Sequence, residues 1–429
     1  MSTPLRTARI EPEPQPHRAW FLQLSRSERS TLVATCAGWG LDGMDVMVYG
    51  FVIPSLIALW HISAGQAGML ATVALLISAV GGWLAGLLAD RYGRTRVLQW
   101  TVIWFSFFTF LSGFTTTFSH LLITRGLQGL GFGGEWAVGS VLMGETIRAE
   151  YRGKAVGTVQ SGYAIGWAIA AIAYIVLFRF LPPAVAWRGM FWIGILPAFL
   201  VFYIRRFVPE PDVFSKTRKQ LEAKGETSRF LDIFSPSVAR ITILTSLVST
   251  GAMGGYWPIM TWLPTYLKTV RKLSVMNTGG YLCVVIAGSF VGYLAAAYLT
   301  DILGRKKSLI LYAVCCFITV VSYMYLPISN GAMLLLGFPL GFFASGIFSP
   351  MGPYFTELYP SRLRGSGQGF CYNFGRGVSA LFPMLVGFLA ARMGLGQAIC
   401  AFAATAYVMM IFAVAMLPET KGKQLKVYE

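Results

Sequence analysis

Five ionisable side chains stand inside long apolar runs of this 429-residue chain: Asp42, Asp45, Arg125, Glu135 and Arg376. A charge at the middle of a bilayer-spanning helix costs at least ~2.5–3.5 kcal/mol, so such groups usually face a cavity and serve a purpose. Asp42 and Asp45 are three residues apart, which sets them on one helix face. Two carboxylates held that close and away from water compete for charge, and can take up and release a proton. The plainer alternative is a polar pair that binds backbone or water and packs its helix. Glu135 lies ten residues, about 15 Å, beyond Arg125 on the same helix. It is either a second proton site or a cap on the cluster Gly126, Gly129, Gly131, Gly133 and Gly134, which lets another backbone approach. In Asn373-Phe374-Gly375-Arg376 the guanidinium offers a planar, two-pronged and permanently charged seat for a carboxylate; its alternative is an aspartate on a neighbouring helix. Gln160, Tyr163, Tyr256, Trp257, Trp262 and Tyr372 are candidates to complete a pocket with Asn373, although most aromatics in a helical bundle serve packing or the interface. His17, His61 and His120 fall outside the apolar runs or at their ends, so neither a histidine proton relay nor a metal site is expected.

The elements that position these groups follow from composition. Hydrophobic residues make up 55% of the chain and charged residues 12%, about half the charge that a water-facing surface carries. Runs of about 20 apolar residues predict twelve spans near 31–57, 66–90, 97–116, 118–145, 155–181, 187–207, 239–267, 275–301, 307–326, 331–357, 366–392 and 396–417. The first twenty residues hold four prolines and no apolar core, so they read as a solvated tail rather than a cleavable leader. Twenty-seven of the 35 lysines and arginines fall at one end of these spans, six at the other, and two within them. That excess sets both termini in the cytoplasm and explains the net charge of +17 without nucleic acid. The fold class expected is an all-α membrane protein. It comprises a tail at 1–30, a six-helix bundle at 31–207, a polar linker with a short amphipathic helix at 208–238, a second bundle at 239–417 and a tail at 418–429. Cys36, Cys283, Cys315, Cys316, Cys371 and Cys400 read as small buried hydrophobes. The chain shows no phosphate-binding loop, nucleophile–base set or metal-ligand spacing, so it reads as no enzyme and needs no cofactor.

The two bundles repeat each other. Gly86-Leu87-Leu88-Ala89-Asp90-Arg91-Tyr92-Gly93-Arg94 recurs 211 residues later as Ala297-Tyr298-Leu299-Thr300-Asp301-Ile302-Leu303-Gly304-Arg305. Glu145, Arg152, Gly153 and Gly157 recur as Glu357, Arg364, Gly365 and Gly369, offset by 212. Duplicated halves suit alternating access, in which one half rocks against the other around a central site. Asp90 with Arg94, Asp301 with Arg305, and Glu145 with Arg152 are opposite-charge pairs at one level, fit to latch helices in one state and release them in another. Capping and topology alone are the alternative.

The stretch Gly86–Arg94 resembles the loop signature G-x-L-x-D-R-x-G-R of the major facilitator superfamily. In the second copy Ala297 replaces the glycine and Ile302 the arginine, which implies a weaker second latch. The likeness runs from about 31 to 421. Leu41-Asp42-Gly43-Met44-Asp45 resembles the D-G-[FY]-D signature of proton-coupled organic-acid symporters. Gly133-Gly134-Glu135-Trp136 and the Trp257–Lys268 region resemble the sialate and metabolite branches, although the two extra spans of bacterial sialate carriers are absent. The resemblance implies twelve spans in two pseudo-symmetric halves and an Asp45–Arg125 pair that breaks on protonation. It implies a monomer in the lipid bilayer that takes up protons with a small organic anion, a mono- or aromatic carboxylate or a sialate-like acid. A neutral sugar or polyol symporter is the alternative, and Arg376 speaks for an anion. A drug or metabolite antiporter would carry a glycine–proline signature in span five, and Gly157–Val176 contains no proline. A non-transporting nutrient sensor would append a long extension.

Overall fold

The computed structural model describes residues 19–62, 64–216, 218, 230–272, 275–423 and 425, and among these every regular element is helical. His17, most of the N-tail and the linker stretch 219–229 lie outside the described residues, while the linker before that stretch is helical over 212–216. The first half is built from α1 (Arg26–Trp60), α2 (Ala64–Tyr92), α3 (Arg94–Ser112), α4 (Phe118–Thr146), α5 (Arg152–Phe180), α6 (Pro183–Trp192) and α7 (Leu196–Phe207). The second half holds α8 (Ala239–Thr269), α9 (Val275–Leu303), α10 (Arg305–Tyr325), α11 (Asn330–Gly346), α12 (Met351–Leu358), α13 (Arg364–Ser379), α14 (Phe382–Met393) and α15 (Leu395–Ala415).

These segments make twelve spans, because α6–α7, α11–α12 and α13–α14 each form one interrupted span. The sequence reading placed all three as continuous helices. Pro197 and Pro383 stand in the first turns of α7 and α14, and Pro350 caps α12. Proline lacks the amide donor and clashes with the preceding turn, so it begins a helix more readily than it continues one. Among the described residues, seven helical stretches are long and apolar enough by themselves to cross a membrane, namely spans two, five, six, eight, nine, ten and twelve. Spans one, four and eleven fall outside that set, and they hold the five intramembrane charges.

Packing repeats between the halves. In the first, α2 lies against α4 and α1 against α5; in the second, α9 lies against α11 and α8 against α13. The halves meet where α2 crosses α13 and α5 crosses α9. Without a hydrophobic drive between helices in lipid, close backbone approach has to supply the contact. At the first crossing a Cβ on Gly86 would run into the Gly365 backbone, and one on Gly369 would lie 3.2 Å from the Gly86 Cα. Outward-facing apolar side chains such as Phe180, Phe202, Leu335 and Phe412 are exposed, as a lipid-facing perimeter requires. Cys283, expected to be buried, is also exposed, whereas Cys316, Cys371 and Cys400 are buried.

Trp20 bonds to Tyr298 near the end of α9 and Lys423 to Arg152 at the start of α5, so both ends of the described chain lie at one end of the bundle, here the terminal end. The Ser25 hydroxyl caps α1 and the Ser25 amide donates back to Glu28 at 2.8 Å, while Arg148 after α4 donates to the same carboxylate at 3.0 Å. Gly93 and Gly304 turn the chain between α2 and α3 and between α9 and α10 with φ of +108° and +97°, a conformation open chiefly to glycine. Each following helix starts on a glutamate to which the sequence reading gave no role. Glu210 accepts from the amides of Arg94 and Thr95, and Glu419 from those of Arg305 and Lys306.

Candidate functional site: a central cavity and two charge clusters

At the junction of the halves is a cavity of about 50 Å³. Six of the expected pocket residues line it: Gln160 and Tyr163 from α5, Tyr256 and Trp257 from α8, and Tyr372 and Arg376 from α13. Asn373 does not. Its amide is buried between the helices, donating to the Gly369 carbonyl at 3.0 Å and to Gly133 at 3.3 Å. Trp262 is also elsewhere, donating to the Pro383 carbonyl at 2.8 Å. The wall includes residues the sequence reading missed, among them Trp39, Phe132, Met253, Tyr293 and Phe348. Trp39 and Phe132 stand three residues before Asp42 and Glu135, on the same helix faces as those acids, and that spacing was the available signal.

Arg376 is the cation of this wall. It lies in the last turn of α13, where the helix breaks, and the carbonyl-rich end of a helix favours a positive charge. Its guanidinium sits 4.8 Å from the Phe132 ring centre and 5.2 Å from that of Tyr372, within cation–π range. Nη1 is buried without a hydrogen-bond partner among the described residues. Asp42 and Glu135 are both buried, one turn along from the wall residues Trp39 and Phe132, and neither lines the cavity itself. Asp42 is fully buried, and neither of its carboxylate oxygens has a hydrogen-bond partner among the described residues. Aromatic contacts frame the cluster: Trp39 lies 5.4 Å from Tyr163, and Trp136 stacks on Tyr372 at 3.5 Å across the halves.

Asp45 belongs to a second cluster. One of its oxygens lies 3.9 Å from Arg125 Nη1, and the same oxygen accepts from Gln128, a partner the sequence reading missed. Arg125 also sits over the Tyr49 ring at 4.9 Å. The two aspartates thus share a helix face but differ in partners: Asp45 pairs with α4, and Asp42 has no hydrogen-bond partner among the described residues.

Towards the terminal end the cavity is closed by bonds between the halves. Gln160 donates to the Phe348 carbonyl at 3.2 Å, Ser349 to Gly157 at 3.2 Å, and Gln368 to Ser140 at 2.6 Å. Beyond them lies a pseudo-symmetric charge network. The expected pairs Asp90–Arg94 and Asp301–Arg305 are present at 3.0 and 3.1 Å. The expected Glu145–Arg152 pair is not the one formed, because both residues find partners in the opposite half. Glu145 takes Arg94 at 3.0 Å and Arg364 of the other half at 2.5 Å. Glu357 takes Arg305 at 2.9 Å and Arg152 of the other half at 3.1 Å. Each carboxylate so placed bridges two buried guanidiniums, one from each half, and Asp90 or Asp301 brings each cluster to two anions for two cations. Asp90 accepts from the Gly365 and Ser366 amides and the Ser366 hydroxyl, and Asp301 from the Gly153 and Lys154 amides. Each aspartate therefore caps a helix start in the opposite half, where unpaired amides favour an anion. The second copy makes one bond fewer.

Two pseudo-symmetric six-helix halves around a polar, partly charged central cavity define a membrane transporter rather than an enzyme. The chain belongs to the Major Facilitator Superfamily, whose family model matches residues 35–376 and 288–427. It is 41% identical over 404 residues to a Cupriavidus pinatubonensis protein described as a probable 4-methylmuconolactone transporter, covering 94% of each chain. It is 29% identical to the sialic acid transporter NanX of Escherichia coli, covering 88% of this chain and 92% of that one. Its fold matches the proton:xylose symporter XylE with a TM-score of 0.79 at 21% identity, over 93% of this chain and 98% of that one.

Proposed function

We propose that the protein imports a small organic acid together with one or more protons, by alternating access across the cell's inner membrane with both termini cytoplasmic. The observation that carries this reading is Arg376, a buried guanidinium on the cavity wall with Nη1 unpaired. A substrate carboxylate offsets that charge, and the planar donor pair suits it. The relative described as a 4-methylmuconolactone transporter supports an organic acid as cargo. A neutral sugar would leave the cation uncompensated.

In this reading Asp42, Asp45 and Glu135 carry the protons. With the terminal end closed, the site is reached from outside. Protonation of Asp45 releases Arg125, while the anion cancels Arg376 and protons on both Asp42 and Glu135 keep the junction neutral. The halves then close over it, the latches at Glu145 and Glu357 part, and the cargo leaves towards the cytoplasm. The test is a panel of radiolabelled acids offered to proteoliposomes under an imposed inward proton gradient. Gradient-driven uptake of a carboxylate is the expected result. Uptake of a sugar with no response to any carboxylate would overturn it.

A further inference from the structure

Four arginines crowd one corner of the terminal end, in the first half. Arg26 and Arg29 stand three apart at the start of α1, on one helix face, and Arg205 and Arg206 lie in the last turn of α7. Ser30 donates to the Phe207 carbonyl at 2.7 Å and ties the two helix ends together. Two hollows open there and share Arg26 and Phe207. The one of about 340 Å³ adds Arg29, Val33 and Tyr203, and the one of about 770 Å³ adds Arg205 and Arg206. Among the described residues no acid lines either hollow, and none of the four arginines makes an ion pair. Glu28, which stands between Arg26 and Arg29 in sequence, is buried and taken by Arg148. Val33 and Phe207 are exposed on the apolar perimeter, so the cations adjoin a surface that faces lipid. We infer that this corner seats the phosphate headgroup of an anionic phospholipid, from the leaflet that meets the terminal end, with an acyl chain along Val33 and Phe207. The inference is independent of the cargo.

The alternative is the general excess of lysine and arginine at this end, which sets topology without any ligand. The internal repeat separates the two readings. Arg26 and Arg29 carried forward by 211 residues give Ser237 and Arg240. Arg205-Arg206-Phe207-Val208-Pro209-Glu210, aligned on its Pro-Glu pair, meets Val414-Ala415-Met416-Leu417-Pro418-Glu419. The second half therefore keeps one arginine of the four, and that one reaches the Met416 carbonyl at 3.5 Å. Topology needs only a count of cations at one end, wherever they stand. It does not explain four gathered in one corner with no acid among them. Like charges so gathered repel, and a phosphate between them relieves the repulsion. Guanidinium suits that ligand, because its planar donors take two phosphate oxygens at once. Basic pockets between membrane helices bind lipid headgroups on the same terms.

Native mass spectrometry of the full-length protein in detergent, titrated in turn with phosphatidylglycerol and phosphatidylethanolamine, reads the dissociation constant of the first bound lipid. Anionic phosphatidylglycerol should bind roughly tenfold tighter than the zwitterionic lipid, or better. Two double variants each take one arginine from each helix: Arg26→Gln with Arg206→Gln, and Arg29→Gln with Arg205→Gln. Each should lose roughly tenfold in phosphatidylglycerol affinity. Arg240→Gln with Lys307→Gln removes two exposed cations from the same end of the second half and should change it by less than about twofold, because charges outside the corner are screened. Melting temperatures check that the variants are folded; if one double variant is not, the other decides, and if neither is, the lipid preference of the native protein decides. Equal binding of the two lipids by the native protein would refute the site. An equal loss in the second-half variant would refute it in favour of diffuse attraction. Displacement of the bound lipid by soluble glycerol phosphate would refute the lipid assignment in favour of a free phosphate.

Discussion

The terminal-end network allows the balance between its closed and open states to be predicted from the geometry. In Glu145→Gln, Arg94 keeps Asp90 at 3.0 Å whether the halves are together or apart. Arg364 keeps the Thr356 carbonyl at 2.8 Å, within its own half, but loses the one ion pair it makes among the described residues, 2.5 Å long across the interface. The loss thus falls on the closed state, in which Arg364 stays buried; in the open state the guanidinium meets water. A hydrogen bond to a charged group contributes about 1.5–3 kcal/mol, which shifts the closed-to-open ratio by roughly 10- to 140-fold. Arg364→Gln should do less, because Glu145 then still holds Arg94 at 3.0 Å and no charge is stranded. The same order is expected in the second copy, with Glu357→Gln exceeding Arg152→Gln, since Glu357 would keep Arg305. Spin labels at Tyr92 and Ile302, exposed helix-end positions in different halves, report the separation by pulsed electron resonance in a cysteine-free background. A distance distribution unmoved by Glu145→Gln, or moved further by Arg364→Gln, would show that the cross-half contact does not hold the closed state.

Other perturbations follow from the same structure. Arg376→Ala should abolish carboxylate binding while leaving the melting temperature within a few degrees; unchanged affinity would place the carboxylate elsewhere. Asp45→Asn should keep substrate exchange and lose accumulation driven by a proton gradient, measured as counterflow against uphill uptake in proteoliposomes. A Cβ on Gly157 would stand 2.8 Å from the Ala297 backbone across the halves. Gly157→Val should therefore hold the terminal end open, seen as labelling of a cysteine placed at Ser349, and protection of that cysteine would count against it. Burial pushes the Glu210 carboxyl above the ordinary glutamate range, against the pull of the Arg94 and Thr95 amides. Folding then favours its protonated form, so stability falls as pH rises from the unfolded value through the folded one. Glu210→Gln should lose that dependence, and a melting-temperature difference from wild type that stays flat across pH 4–8 would contradict the assignment.

Much of this architecture was legible in the sequence, and what was missed has a common cause. Span existence and the repeat are local signals: an apolar run or a motif can be read without knowing its neighbours. The helix breaks at Pro197, Pro350 and Pro383 were visible in the same way, yet an apolar run continues across each, and hydropathy alone does not register a lost hydrogen bond. Glu145 and Arg152 were paired because they are near in sequence. Their actual partners, Arg364 and Glu357, are more than 200 residues away, and only the docking of the halves brings them together. Asn373 looked like a pocket residue by its closeness to Arg376, but three residues earlier on α13 it meets α4, with a glycine carbonyl as its acceptor.

The repeat also explains where the chemistry had to arise. Carrying Asp42 and Asp45 forward by 211 residues gives Met253 and Tyr256, both on the cavity wall. Carrying Arg125 and Glu135 forward by 212 gives Gly337 and Ile347, while Arg376 carried back gives Ala164. Every intramembrane charge therefore stands where its counterpart in the other half is uncharged, whereas the latch residues keep their charges in both halves. Two halves that rock as equals need matching latches at their shared end. A site that binds one anion needs asymmetry, because a cation repeated on the facing wall would lie buried without a partner. In the proposed reading the acids Asp42 and Glu135 sit in the first half and the anion seat Arg376 in the second, so proton and cargo would meet at the junction of the halves. On that reading coupling belongs to the contact between the bundles, and neither bundle alone would carry it.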